Sequence, residues 1–539
     1  MRAPGIRRAD HRGRTATLAQ PRPRPVWSAM VAALTLAVIA GASAWPAAAP
    51  EPVMASVIVI DQPGGFNAAV RAVSALGGRM VRRLSIVDGF TADIPQTALE
   101  ALRSSPGIMS VTPDVALGLL GRDGSSGDDG SPGSMALAAG TVGAMEAWKD
   151  GITGAGVDVA LIDSGVSPVS GLAADGQIVN GPDLSFDLQA GAEASLDAFG
   201  HGTHLAGIIA GRDAAGDEDG ELEDAQFVGV APGARIVSVK VAGAAGQTDV
   251  SQVIAAIDWV VQHRQDDGLN IRVLNLAFGT DGTQDYRVDP LAHAVEAAWR
   301  SGIVVVVAAG NAGETRTGLA NPATDPFVIA VGADDPNGTV STSDDTVPDW
   351  SSRGDGTRNP DVIAPGSSIR SLRVPGSTLD LAVPAATAGG RYINGSGTSQ
   401  AAAIVSGTVA LILEDRPNLT PDQVKALLMT TASRLSSAGP EAQGAGLVNV
   451  ERAIETRAPS TVQGFARASG TGSLEGARGS VHVMADGIAL NDERDIFGAA
   501  WDGAARASLS ASATAWAGGT WNGNAWSGLS WSGLSWSSR

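Results

Sequence analysis

A regular rhythm runs from about Met135 to Glu455. Short β-branched runs alternate with longer amphipathic stretches. "VDVALID" is followed by helical spacing from His201, "ARIVSVKV" by "VSQVIAAIDWVVQH", and "IRVLNLAF" by "LAHAVEAAWRSG"; "IVVVVAAGN" and "FVIAVGA" continue the pattern. Strands that are apolar at successive positions bury both faces. In a chain that alternates strand and helix, this predicts a parallel sheet with helices on both faces, a three-layer α/β fold. "TSQAAAIVSGTVALILED" is apolar almost all round and is expected to be a buried helix. "TPDQVKALLMTTA" starts a helix with Thr420 as cap, Pro421 at the first helical position and Gln423 three residues after the cap.

The chain around this block is too long for one ordinary domain; roughly three units are expected for 539 residues. Residues 56–117 read as a small β-α-β-β-α-β unit: "SVIVI", a helix in "GGFNAAVRAVSALGG", a β pair in "RMVRRLSIVDGFTADI", a helix in "PQTALEALRSSPG" and a last strand in "IMSVTPD". "GLLGRDGSSGDDGSPGS" lacks the apolar content to pack and reads as an exposed, cleavable linker. At the N-terminus an Arg-rich lead precedes the uncharged "VWSAMVAALTLAVIAGASAW". A basic lead, an apolar core and small residues such as Ala42-Ser43-Ala44 form an export signal, and an uncleaved membrane anchor is the alternative. Both place the remainder outside the cytoplasm. A net charge of −19 argues against nucleic acid as partner, and the absence of cysteine excludes disulfides, thiolate metal sites and a cysteine nucleophile.

Residues 457–539 lose the α/β rhythm and hold Gly, Ser, Ala and half of the twelve Trp. Trp516, Trp521, Trp526, Trp531 and Trp536 recur every five residues. On a helix that step drifts round the surface, and on a strand it alternates faces. Two readings stay open: a string of aromatic contacts for sugar rings, cell-wall or membrane surfaces, or Trp that fold back onto the preceding domain.

Three short stretches carry chemistry. "LIDSGV" ends a strand at Asp163, "GHGTHLAG" opens a helix at His201, and "NGSGTSQAAA" opens the buried helix at Ser399. Singly, each has an ordinary account as turn residue, structural histidine or N-cap. Together they lie where open α/β sheets place their sites, and they supply an orienting carboxylate, a base and a nucleophile in the order Asp, His, Ser. At these residues the chain resembles the subtilisin-like serine proteases over about 145–455.

The resemblance implies a subtilisin-like fold and a serine endopeptidase with Asp163, His201 and Ser399 as its triad. It places Asn311 of "VVAAGNAG" as the oxyanion donor and leaves His204 a structural role. It assigns Ala277, Phe278 and Gly279 of "NLAFG" to one substrate-binding edge and Gly243, Ala244 and Ala245 of "GAAGQ" to the other. "NLAFG" departs from the family's usual Ser-Leu-Gly, and Gln400 stands where Met is common. The N-terminal unit resembles the family's ferredoxin-like propeptide, a folding aid and intramolecular inhibitor. The implied organisation is a signal or anchor in 1–50, a propeptide in 51–117, a linker in 118–135, a peptidase domain in 136–456 and an extension in 457–539. The expected partners are peptide or protein substrates and the chain's own propeptide. No cofactor is required and no metal ligand is assigned; the seven carboxylates of "RDAAGDEDGELEDAQF" at 212–227 suit structural Ca²⁺, although their spacing is not that of an EF-hand.

Overall fold

Alternating strand and helix propensity resolves into one large sheet. The structure is a computed structural model that describes residues 54–62, 65–84, 89–113, 133–187, 195–213, 227–313, 318–485, 488–496, 499–516 and 531–532. The signal segment, most of the linker and acidic loop, and most of the Trp repeats lie outside the described residues. Among the described residues no helix is long and apolar enough to cross a membrane.

The first unit runs β1 (Met54–Asp61), α1 (Phe66–Ala75), β2 (Arg79–Leu84), β3 (Gly89–Pro95), α2 (Leu99–Arg103) and β4 (Ile108–Pro113). The sheet order is β2-β3-β1-β4, antiparallel throughout, with Val59 opposite Phe90 and Val111. This is the ferredoxin-like order. The unit has its own core, in which Val57, Val73, Phe90 and Ile94 are buried and Phe66 meets Phe90 edge-on at 5.7 Å.

The second unit opens with α3 (Met135–Thr141), capped by Ser134 at 3.1 Å from the Leu137 N–H, and α4 (Ala144–Lys149). Its strands and main helices are β5 (Asp158–Asp163), β6 (Ile178–Asp183), α5 (His201–Ala210), β7 (Arg235–Lys240), α6 (Val250–His263), β8 (Ile271–Leu276), α7 (Pro290–Arg300), β9 (Val304–Ala308), β10 (Ile329–Asp334) and β11 (Val362–Pro365). The seven strands are parallel in the order β11-β10-β9-β8-β5-β7-β6. Every residue of β5, β9, β10 and β11 is buried, as strands covered on both faces require. β6 was not anticipated: "IVNGPD" is a half-exposed edge strand holding Gly and Pro, so no apolar run marks it.

A small antiparallel sheet follows, β12 (Ile369–Leu372), β13 (Thr387–Ala388) and β14 (Tyr392–Gly395), with α8 (Thr378–Ala382) between β12 and β13. β14 delivers the chain to α9 (Thr398–Asp415), buried from Thr398 to Leu413, which packs with α5 against the sheet. α10 (Pro421–Thr431) carries the reciprocal capping box of Thr420 and Gln423, and α11 (Pro440–Gln443) and α12 (Val450–Glu455) complete this stretch.

Described residues beyond 456 pack on this frame. They form α13 (Leu474–Arg478), β15 (His482–Ala485), β16 (Ile488–Ala489), α14 (Gly503–Ala511) and β17 (Trp531–Ser532), the last paired with β15. The His293 ring of α7 reaches the carbonyls of Ala468 at 2.9 Å and Ala507 at 3.1 Å. Asp258 of α6 accepts from Arg506 and Ser510, both at 2.7 Å. Trp501 and Trp516 pack against the main core.

One buried feature opposes stability. Asp334 ends β10, and the Asp335–Thr346 backbone bridge folds the next loop back so that Asp345 faces it. Both side chains are buried and face each other, and a hydrogen bond between them favours the neutral form of Asp334. Burial pushes both carboxyls up; the Asp345 and Asp335 charges add to this at Asp334, and the Asp344 charge at Asp345. A raised carboxyl is neutral in the folded state, so its contribution is intact below the ordinary Asp value near 4 and is lost as pH rises above it. Asp334→Asn is therefore expected to melt above the wild type at pH 8, by roughly 2–4 °C per kcal/mol relieved, with the gap closing toward pH 4. A gap that does not change with pH would contradict this account.

Candidate active site

Four neighbouring strands of the parallel sheet end along one edge, and the expected site residues follow those ends. Asp163 is the last residue of β5, and Asn311 follows β9. Ala277–Gly279 follow β8, and Gly243–Ala245 follow β7. His201 and Ser399 arrive from helix starts, as the first residue of α5 and the second of α9.

Asp163 is 1% exposed, and its Oδ1 and Oδ2 lie 2.9 and 3.1 Å from His201 Nδ1. The pair is tied from behind. The Ser164 N–H donates to Asp163 Oδ1 at 2.7 Å, and Ser164 Oγ accepts from the Gly202 N–H at 2.9 Å and donates to Asp197 Oδ1 at 2.8 Å. Asp197 accepts from the N–H groups of Gly200 at 2.7 Å and Thr203 at 2.8 Å, satisfying donors that a helix start leaves open. Burial raises its carboxyl, and these backbone and hydroxyl hydrogen bonds act against that rise. Asp197 and Ser164 were missed in the sequence; the available signal was an acid four residues before the histidine in "DAFGHGT". Gly202 is required by proximity: a Cβ there would collide with the Gly165 carbonyl.

On the nucleophile side, Ser399 is 8% exposed and its Oγ lies 3.5 Å from the Ala277 carbonyl. Asn311 Oδ1 accepts both the N–H and the Oγ1–H of the buried Thr398, each at 2.9 Å. With its oxygen committed to two donors, the Asn311 amide turns its NH₂ away from Thr398. Ala277, Phe278, Gly279, Asn311 and Ser399 share the lining of one cleft of about 80 Å³. Gly243–Ala245 are not among the residues lining it. They form a turn in which the Ala244 N–H donates to Asp187 Oδ1 at 2.8 Å and the Ala244 carbonyl accepts from Thr378 at 2.6 Å. This turn adjoins Asp163, whose carbonyl accepts the Val241 N–H at 2.8 Å.

Among the described residues no group of three or more His, Asp or Glu is arranged to hold a metal ion. The acidic loop at 212–227 is described only at its ends, where Asp213 pairs with Arg391 and accepts the Phe227 N–H at 2.9 Å.

His204 lies one turn along α5. Neither ring nitrogen has a hydrogen-bond partner among the described residues, and burial followed by the His201 charge lowers it to about 3. Its ring is therefore neutral packing material. Such a histidine supports the fold fully above its ordinary value of 6.5, and that support is lost as pH falls below it. His204→Leu is expected to keep hydrolytic activity. Between pH 7 and pH 4.5 it should lose less melting temperature than the wild type, the difference growing by on the order of 1.4 kcal/mol per pH unit. Equal acid sensitivity, or loss of activity in the folded variant, would contradict this role.

The family described as the subtilase family, peptidase S8, matches residues 154–472. Serine protease AprX of Bacillus subtilis (strain 168) is 39% identical over 319 residues, covering 58% of this chain and 69% of that protein. Subtilisin Savinase of Lederbergia lenta is 33% identical over 314 residues, covering 58% of this chain and 95% of that protein. Subtilisin E of Bacillus subtilis (strain 168) is 31% identical over 393 residues, covering 71% and 85%.

Proposed function

The chain belongs to the subtilase family of serine endopeptidases, and from that premise we propose that Asp163, His201 and Ser399 form its catalytic triad in an exported, self-processed zymogen. The observation that carries the triad is the buried contact of His201 Nδ1 with Asp163 at 2.9 Å, on the same sheet edge as Ser399 at the start of α9.

Asp163 accepts the Nδ1–H of His201, which leaves Nε2 as the basic nitrogen. Nε2 takes the Ser399 hydroxyl proton as Oγ bonds to the scissile carbonyl carbon. The carbonyl electron pair moves onto oxygen, where the Asn311 NH₂ and the Ser399 N–H stabilise it. Nε2 then gives its proton to the leaving amine, the C–N bond breaks, and an acyl-enzyme remains. Water repeats the sequence and releases the acid and Ser399. The peptide lies between the chain segments leaving β7 and β8, Gly243–Ala245 and Ala277–Gly279, as an added extended strand.

The 54–113 unit supports the zymogen reading. It has the propeptide-like order and a separate core, and it is joined to the peptidase through the Gly/Ser/Asp-rich stretch at 118–134. Export rests on the basic and apolar N-terminal segments.

Ser399→Ala is expected to lower hydrolysis of an unfolded protein by about 10⁶-fold, and Asn311→Ala by roughly 10²–10³-fold; both magnitudes are taken over from a subtilisin. The same Ser399→Ala chain, purified without other proteases, should stay uncut between the two folded units. Complete processing of that variant would defeat self-maturation, and undiminished hydrolysis would defeat the nucleophile assignment.

A further inference from the structure

The cleft beside Ser399 has a wall, Phe278–Asp281, that leaves β8. The Thr280 N–H and C=O pair with Asn321 at 2.9 and 3.0 Å. Further support comes from nearly two hundred positions along the chain. Thr280 Oγ1 donates to the Ala477 carbonyl at 2.6 Å, and Asn321 Nδ2 approaches the same carbonyl at 3.4 Å. The Asp281 carboxylate accepts the Ser480 N–H at 2.6 Å and the Ser480 Oγ–H at 2.5 Å. The two backbones touch through glycines. A Cβ on Gly282 would lie 2.7 Å from the Gly476 carbonyl, and one on Gly479, where φ is +63°, would collide with Asp281.

α13 itself is rigidly mounted. Arg478 is completely buried; its Nε donates to Asp249 Oδ2 at 2.7 Å and its Nη1 to the Asp492 carbonyl at 2.8 Å. Asp249 also caps α6 by accepting the Ser251 N–H at 2.9 Å. A buried charge cannot leave its partner cheaply, so α13 cannot shift without breaking this pair. The hydrogen bonds given above for Asp163, His201, Asn311 and Thr398 come from other elements.

We propose that the post-456 segment carrying α13 is a specificity buttress: Gly479 and Ser480 are positioning residues that hold the Thr280–Asp281 wall and so set which side chain the cleft accepts beside the scissile bond. This rests on the peptidase reading above. It assigns the segment to substrate selection, whereas the triad performs the chemistry.

The test is a set of short peptide substrates that differ only in the residue before the scissile bond, from Ala to Leu to Phe. Wild type, Ser480→Ala and Gly479→Ala are compared in the full chain. For the bulky members, KM is expected to change by about fivefold or more, the scale on which one hydrogen bond counts, with kcat within about twofold and a changed order of preference. Stoichiometric fluorophosphonate labelling should match the wild type. Unchanged KM across the set in a cooperatively melting variant would overturn the proposal, as would a fall in kcat at constant KM. Should Gly479→Ala fail to fold, Ser480→Ala, an exposed change that removes one hydroxyl, decides alone. A wild type that neither labels nor cleaves would instead overturn the peptidase reading beneath it.

Discussion

The contact between Asp163 and His201 is the constraint on which the rest of the site depends. An imidazole can act as a base only if its other nitrogen is held, and a carboxylate can hold it only if the carboxylate is itself fixed. Both conditions are met by the seam between β5 and α5. The parallel sheet buries β5 on both faces and presents Asp163 at its end. Asp197 fixes the start of α5, and Ser164 ties Asp197, Asp163 and Gly202 together. The absent Cβ of Gly202 allows the two backbones to approach. The fold thus supplies the orientation, and the side chains supply the proton acceptor and its anchor.

A second level of organisation sits further along the same edge. The segment leaving β8 lines an open cleft, so it is not covered as the strand is. Its rigidity comes from behind, through α13 and the buried Arg478–Asp249 pair. The peptidase frame and the chain beyond 456 therefore share one architecture at the cleft. In the same way His293 and Asp258 join α7 and α6 to the later chain.

Much of the frame was legible in the sequence because burial there is apolar and periodic. The helices at Val250–His263 and Thr398–Asp415 coincide with the runs read from their spacing. The motifs proposed to carry the chemistry stand out in the sequence because each pairs a polar side chain with the glycines that a tight turn at the sheet edge needs. What was not legible shares a different physical character. β6 is half-exposed, so it carries no apolar run. The packing of 468–516 uses Ala, Ser and Gly, which resemble linker composition yet are small enough to be buried, as Ala468, Ala477 and Ser510 are. Its anchors, Arg478 to Asp249 and Arg506 to Asp258, join residues more than two hundred positions apart, and local spacing holds no trace of them. Asp197 reads as an ordinary loop acid until the seam it closes is seen.

In the proposed mechanism, one serine on this edge is activated by a histidine that the buried Asp163 orients. The most direct measurement is reaction of the purified protein with a serine-directed fluorophosphonate, mapped by peptide mass spectrometry and repeated on Asp163→Asn. One label per molecule at Ser399, acquired far more slowly by the folded Asp163→Asn variant, is the predicted result. Label at another serine, or equal labelling rates in the two proteins, would contradict it.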